Sequence, residues 1–241
     1  MTDLPPLTIG VCTYKRPWYA MLTLSQLISQ VRYDGPKKFH IADGGSPQED
    51  IDYYKFICRD FETTVDVTTN LADMVNSCAH YGGELWLCVL DDFTPRVPFD
   101  VTPDARLLLA HPEIGSVRMG RLAFHGNGDG NSEEVGDLIN CEGLHWWRLR
   151  KEETHNLDMC TMGFHMYHRR FWDAYGDIPP CLPTEPGNGE LNGRGRFLAK
   201  PGPTIALPMR FGEDCGDWKE PIWHLGTWRT DEYKAYAGSR L

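Results

Sequence analysis

The sequence predicts an α/β domain with a mostly parallel central sheet and a less regular second half. Short β-rich apolar runs alternate with stretches in which apolar residues recur at helical spacing. The run from Leu85 to Leu90 is apolar throughout, as suits a strand covered on both faces. The order strand, helix, strand, helix, strand belongs to a sheet whose crossovers cover both faces.

Leu7 to Cys12 (LTIGVC) reads as the first buried strand. Ala20, Leu24, Leu27, Ile28 and Val31 then mark one face of a helix, for which Pro17 suits the first turn. Lys38 to Ala42 (KFHIA) is the second strand, ended by the turn sequence Asp43-Gly44-Gly45-Ser46-Pro47. A third short strand is expected around Thr64 to Thr68, and Leu71, Met74, Val75 and Cys78 mark a helix leading into Leu85 to Leu90. Asp104 to Ala110 reads as helix and Ile114 to Met119 as strand. Gly126 to Gly136 is a polar, Gly-rich loop, and Ile178 to Pro208 is rich in Pro and Gly with little periodicity; such segments in a compact domain are binding loops more often than filler. No repeat or clear linker divides the 241 residues, so one domain is expected over 1–241, with halves 1–120 and 121–241.

The formal charge of −10 opposes non-specific adhesion to nucleic acid or anionic lipid, which depends on Lys and Arg neutralising phosphates. Local basic groups such as Lys15-Arg16 suit an anionic substrate equally well. No apolar run approaches the roughly 18 residues that cross a bilayer. The start MTDLPPLTIG lacks the pattern of a secretory signal, so a cytoplasmic protein is expected. Eight scattered cysteines without metal-like spacing are expected to be reduced thiols.

In parallel sheets ligands bind at the carboxyl ends of the strands. That rule lines up Thr13-Tyr14-Lys15-Arg16, Asp43 to Ser46 and Asp91-Asp92 along one edge. Two adjacent carboxylates leaving a buried strand repel each other and lose solvation, which a divalent cation would offset. The plainer reading is a solvated turn. For Asp43 the plain reading is a turn-capping carboxylate, and for Tyr14 an ordinary packed ring.

Taken in order, LTIGVCTYKRP, IADGGS, Asn70 to Asn76 and Gly83 to Asp92 resemble the nucleotide-sugar-binding half of GT-A glycosyltransferases, in particular the large inverting families. The resemblance implies a Rossmann-like GT-A domain with 1–120 as the donor half and 121–241 as the acceptor and catalytic half. It implies that Thr13, Tyr14 and Arg16 border the nucleotide base and that Asp43 hydrogen-bonds the base or ribose. Leu90-Asp91-Asp92-Phe93 resembles a variant of the D-x-D motif, so Asp92 is assigned to a divalent metal, Mn2+ or Mg2+, and Asp91 to the ribose or to water around the metal. Gly212-Glu213-Asp214 resembles the acceptor motif, which makes Asp214 the general base and Asp217 its runner-up; the alternative is an acidic helix start. His224 follows in the order of a third metal ligand, and an imidazole suits manganese, although a lone His is more often structural.

The resemblance therefore implies a metal-dependent inverting transferase that moves a sugar from a nucleotide-diphosphate sugar to an acceptor hydroxyl. The acceptor is a saccharide, a modified nucleic acid or a protein. Alternatives are a GT-A-like module that binds nucleotide sugars without turnover, and a metal-dependent hydrolase using His165, His168 and the Asp pair. A sugar-nucleotide pyrophosphorylase would carry a Gly-rich phosphate loop where Thr13 to Pro17 stands, and that segment has no glycine.

Overall fold

A computed structural model describes residues 4–119, 136–150, 164–179, 200–208 and 222–225. The first half runs β1 (Leu7–Thr13), α1 (Pro17–Gln30), β2 (Val31–Arg32), β3 (Lys37–Asp43), α2 (Gln48–Ile57), β4 (Thr63–Val67), α3 (Leu71–Tyr81) and β5 (Leu85–Leu90). It continues through β6 (Phe93–Pro95), β7 (Phe99–Asp100), α4 (Thr102–Ala110) and β8 (Ile114–Arg118). The second half contributes β9 (Gly136–Cys141), β10 (Leu144–Leu149), β11 (Phe164–His168), α5 (Arg169–Tyr175), β12 (Thr204–Pro208) and β13 (Ile222–His224).

Among the described residues, nine strands form one sheet in the order β4-β3-β1-β5-β11-β8-β12-β10-β9. The expected parallel region is β4, β3, β1 and β5. Beyond β5 the sheet becomes mixed: β11 runs antiparallel to both β5 and β8, β12 is parallel to β8, and the β9–β10 hairpin closes the far side.

Strand alternation divides the apolar residues between two cores. Leu7, Ile9 and Val11 of β1 belong to one, with Leu24 and Leu27 of α1 and Leu107 and Leu108 of α4. Cys12 belongs to the other, with Val75 and Cys78 of α3 and Trp172 and Tyr175 of α5. Each fully buried leucine stabilises this arrangement by roughly 1.5–3 kcal/mol relative to an exposed one. Gly10 lets α3 approach the sheet, since a Cβ there would lie 2.8 Å from both Cβ and Sγ of Cys78. Cys12, Cys58, Cys78, Cys88 and Cys141 are free thiols, as expected; the other three cysteines lie outside the described residues.

Several elements exceed the sequence expectation, among them α2, the β9–β10 hairpin and β12. Helix α2 buries only Ile51 and Tyr54 and leaves Tyr53 and Phe56 exposed, so its apolar spacing is sparse. The β9–β10 hairpin turns at Glu142 and Gly143, both at positive φ (51° and 82°), the conformation of a two-residue turn. Strand β12 occupies the end of the stretch expected to be irregular.

Candidate active site

The carboxyl ends of β1, β3 and β5 meet as expected. Thr13 and Asp43 are register partners, the Gly44 N–H donates to the Thr13 carbonyl at 2.8 Å, and the Asp91 N–H donates to the Cys12 carbonyl at 3.0 Å. From α1, the Thr23 hydroxyl donates to the Asp91 carbonyl at 2.7 Å. Sequence reading did not single out Thr23; the available signal was a polar residue on the buried stripe of Ala20, Leu24 and Leu27.

The loop after β1 places one residue inward and one outward. Lys15 sits at φ 51°, the left-handed region that a non-glycine residue adopts at a cost. Arg16 then points into the site and Pro17 starts α1. The Arg16 guanidinium contacts both acids: Nε donates to Asp91 Oδ2 at 3.2 Å, Nη2 donates to Asp91 Oδ1, and Nη1 donates to Asp92 Oδ2 at 3.2 Å. Thr13 Oγ1 donates to the same Asp91 Oδ2 at 3.0 Å. Asp91 is fully buried and Asp92 nearly so. Burial pushes the Asp91 carboxyl up to about 6, with Arg16 pulling in the opposite direction. Partial burial works against the Arg16 charge, but Asp91 and Asp92 outweigh it and raise its pKa.

On the outward side, Tyr14 is half exposed and its ring lies on Gly44, where a Cβ would come within 2.3 Å of Tyr14 Cδ2. The Lys15 ammonium stands 5.5 Å from the Tyr14 ring centroid. Asp43 is fully buried. Its Oδ1 accepts from the Gly45 and Ser46 N–H groups at 2.8 and 2.6 Å, and its Oδ2 accepts from the Ser46 hydroxyl at 2.7 Å. In this arrangement the carboxylate shapes the turn that carries Gly44.

The sequence-predicted residues thus fall into three sets. Thr13, Arg16, Asp91 and Asp92 form one hydrogen-bonded cluster, with Arg16 on the acids. Tyr14 and Asp43 flank it through Gly44. The backbone of His224 in β13 pairs with Phe93 of β6, one residue from Asp92, and the Leu225 N–H donates to the Asp92 carbonyl at 2.6 Å. Asp214, with Glu213 and Asp217, lies outside the described residues.

His165 and His168 do not share a site, because residues three apart on a strand face opposite sides of the sheet. His168 caps α5 by accepting the Arg170 N–H at 3.1 Å, while His165 is buried and stacked on Tyr167 of the second core. Among the described residues, no group of three or more His, Cys, Asp and Glu side chains is placed to hold a metal ion. The carboxylate of Asp92 is a donor of the kind a divalent cation takes, but the Arg16 guanidinium occupies both acids, and His224 pairs in register with Phe93.

No protein-family model matches the chain, and no curated protein does. Solved structures do. TarS of S. aureus superposes with a TM-score of 0.56 at 13% identity, covering 84% of this chain and 60% of that one. The mannosyltransferase PcManGT of Pyrobaculum calidifontis, solved with GDP-Man and Mn2+, gives 0.51 at 14% identity, covering 86% and 57%. GalNAc-T7, solved with UDP, GalNAc and Mn2+, gives 0.61 at 11% identity, covering 93% and 44%. The chain therefore spans 60% or less of the length of each of these proteins. An acid pair at the end of the central parallel strands, in a sheet of this order and with these likenesses, gives the chain the fold of the GT-A glycosyltransferases.

Proposed function

We propose that this protein is an inverting glycosyltransferase that moves a sugar from a nucleotide-diphosphate sugar to an acceptor hydroxyl with the help of a divalent metal. The observation that carries the reading is the juxtaposition of the Tyr14–Gly44 surface with the Asp91–Asp92 pair at one sheet edge. One flat, half-exposed ring suits a nucleobase, and the adjacent acids and guanidinium suit a diphosphate and its cation. The similar structures whose descriptions name UDP, UDP-GlcNAc, GDP-Man and Mn2+ support that donor class.

In this reading Tyr14 covers the base, and Asp43 reaches the base or ribose through Oδ2 once the Ser46 hydroxyl rotates away. Asp91 holds Arg16 and Thr13 in place and orders ribose or water. Asp92 and His224 hold the metal, which when bound supplies positive charge to the departing diphosphate. Asp214 accepts the acceptor's proton as its oxygen attacks the anomeric carbon from the face opposite the leaving group. A base so placed contributes roughly 10²–10⁴ in rate. The acceptor is a saccharide, with a protein or a hydroxylated nucleobase as further hydroxyl sources. No described helix is long and apolar enough to cross a membrane.

The test is release of nucleoside diphosphate from a panel of nucleotide sugars with Mn2+ or EDTA. Wild type is compared with Asp92→Ala, His224→Ala and Asp214→Asn. Asp214→Asn is expected to bind donor and fail to transfer; full turnover by that variant, or equal turnover in EDTA, contradicts the assignment. A binding module without turnover is the second reading, favoured by the guanidinium held on both acids. It predicts donor binding with no release by any variant.

A further inference from the structure

We propose that Tyr54 is a positioning residue for the nucleotide: its buried hydroxyl takes up the Ser46 hydroxyl when the base or ribose displaces it from Asp43, and joins it through Thr13 to Asp91. The inference rests on the donor reading of Asp43 and adds the residue that makes its carboxylate available.

Tyr54 carries more chemistry than its packing uses. It stands in α2, the helix that follows the Asp43 turn, and is fully buried in the first core. A phenylalanine would fill the same space. The Tyr54 hydroxyl is buried with the ring and makes no hydrogen bond. A group in that position destabilises the state in which it is unpaired, and phenylalanine would remove the penalty. The oxygen therefore has its use in a different arrangement of its neighbours.

Those neighbours are two hydroxyls of the site. Burial pushes the Tyr54 pKa up, and the Ser46 and Thr13 hydroxyls stand near enough to pull it the other way, although neither is in hydrogen-bond geometry with it. Each is committed elsewhere: Ser46 donates to Asp43 Oδ2 at 2.7 Å, and Thr13 donates to Asp91 Oδ2 at 3.0 Å. Thr13 and Asp43 are register partners on β1 and β3, so both hydroxyls belong to one corner of the sheet edge.

Hydrogen-bonding capacity gives the direction of the change. A hydroxyl has one proton to donate and two lone pairs with which to accept. A base N–H or ribose O–H that takes Asp43 Oδ2 leaves the Ser46 hydroxyl to be paired again, while the Gly45 and Ser46 N–H groups keep Oδ1 and hold the turn. Turned to Tyr54 Oη, Ser46 starts a chain in which Ser46 donates to Tyr54, Tyr54 to Thr13 and Thr13 to Asp91. Every hydroxyl in it donates once, and no proton leaves its oxygen. The Asp91 carboxylate at its end favours this direction, because a bond to an ionised acceptor is stronger and polarises the bonds behind it.

The test is calorimetric titration with UDP, GDP, ADP, CDP, dTDP and inorganic pyrophosphate, each with Mn2+. The proteins are wild type, Tyr54→Phe, Ser46→Ala and the double variant, with urea midpoints as the control for packing. Tyr54→Phe is expected to bind the preferred nucleotide roughly three- to tenfold more weakly than wild type, the effect of one net hydrogen bond. Its pyrophosphate affinity is expected to be unchanged and its urea midpoint no lower than that of wild type. Without the Ser46 hydroxyl there is nothing to take up, so adding Tyr54→Phe to Ser46→Ala is expected to change nucleotide affinity by less than about twofold. Ser46→Ala alone is expected to bind at least as tightly as wild type, and it carries the test if Tyr54→Phe does not fold; weaker binding overturns the proposal. If Tyr54→Phe binds nucleotide as well as wild type does, or loses equally in both Ser46 backgrounds, the proposal is wrong and the donor reading stands. If wild type binds none of the nucleotides, the donor reading fails and the role of Tyr54 with it.

Discussion

Arg16 lies side-on to Asp91, with Nε 3.2 Å from Oδ2 and Nη2 on Oδ1, while Thr13 closes the same Oδ2 from 3.0 Å. Two carboxylates adjacent in sequence thereby acquire different duties. Asp91→Asn relieves the burial cost that raises the Asp91 pKa, but it turns an NH2 donor toward the donors of Arg16 or Thr13, and it is expected to lower unfolding stability by roughly 1–3 kcal/mol. Asp92→Asn keeps the Asp91 anchor and is expected to cost under about 1 kcal/mol while weakening metal and donor binding. Urea denaturation at pH 7 separates them; equal losses would contradict this division.

Gly44 is placed against Tyr14 so closely that a methyl group would lie 2.3 Å from Cδ2. Gly44→Ala is therefore expected to push the ring off its seat. If Tyr14 covers a nucleobase, UDP or GDP affinity falls by about tenfold or more, in line with the roughly 1–3 kcal/mol of a base–aromatic stack. Tyr14→Ala is expected to lose a similar amount, and Gly44→Ala in that background to lose little more. Calorimetric titration with all three variants checks the non-additivity.

The first half also contains a pH-sensitive support. His40 is fully buried, stacked on Tyr81 with centroids 4.3 Å apart, and joined to Thr64 and Ser77 at 2.8 Å each. The Ser77 hydroxyl donates its proton to Asp66 at 2.7 Å, so its oxygen accepts from His40 Nε2 and the Thr64 hydroxyl donates to Nδ1. The ring is thus held neutral, and burial pushes its pKa down to about 4. The unfolded chain binds a proton near pH 6.5 that the folded chain refuses until about pH 4. Stability is therefore full above that range and falls across it as pH drops, by on the order of 3 kcal/mol. Urea midpoints at pH 5 and pH 7 should differ less for His40→Gln than for wild type. His165, which burial holds well below its ordinary value, acts in the same direction, and Asp91, pushed up to about 6, acts in the opposite one.

Much of the first half was legible because local and global signals agreed. Leu7 to Cys12, Lys38 to Ala42 and Leu85 to Leu90 are strands within a residue of the expected bounds, since burial on both faces demands continuous apolar runs. The edge they form brought Thr13, Asp43, Asp91 and Asp92 together, as the rule for parallel sheets requires. What one-dimensional reading did not reveal is where long side chains end. Arg16, which the resemblance sets beside the base, has its guanidinium on Asp91 and Asp92, one residue after Lys15 at positive φ. Asp43 takes the turn-capping position, its carboxylate bonded to Gly45 and Ser46. The second half was less readable because its strands pair across long separations, as β11 does with β5, and no local pattern encodes that register.

That long-range pairing has a consequence during synthesis. One edge of β5, the most apolar strand of the sheet, pairs early with β1, but the other is covered only by β11. A ribosome must therefore pass residue 168 before the strand that mounts the acid pair has both edges closed. Until then it offers a bare hydrophobic edge of the kind that recruits other chains. Chains cut short ahead of Phe164 should aggregate rather than yield a soluble first half.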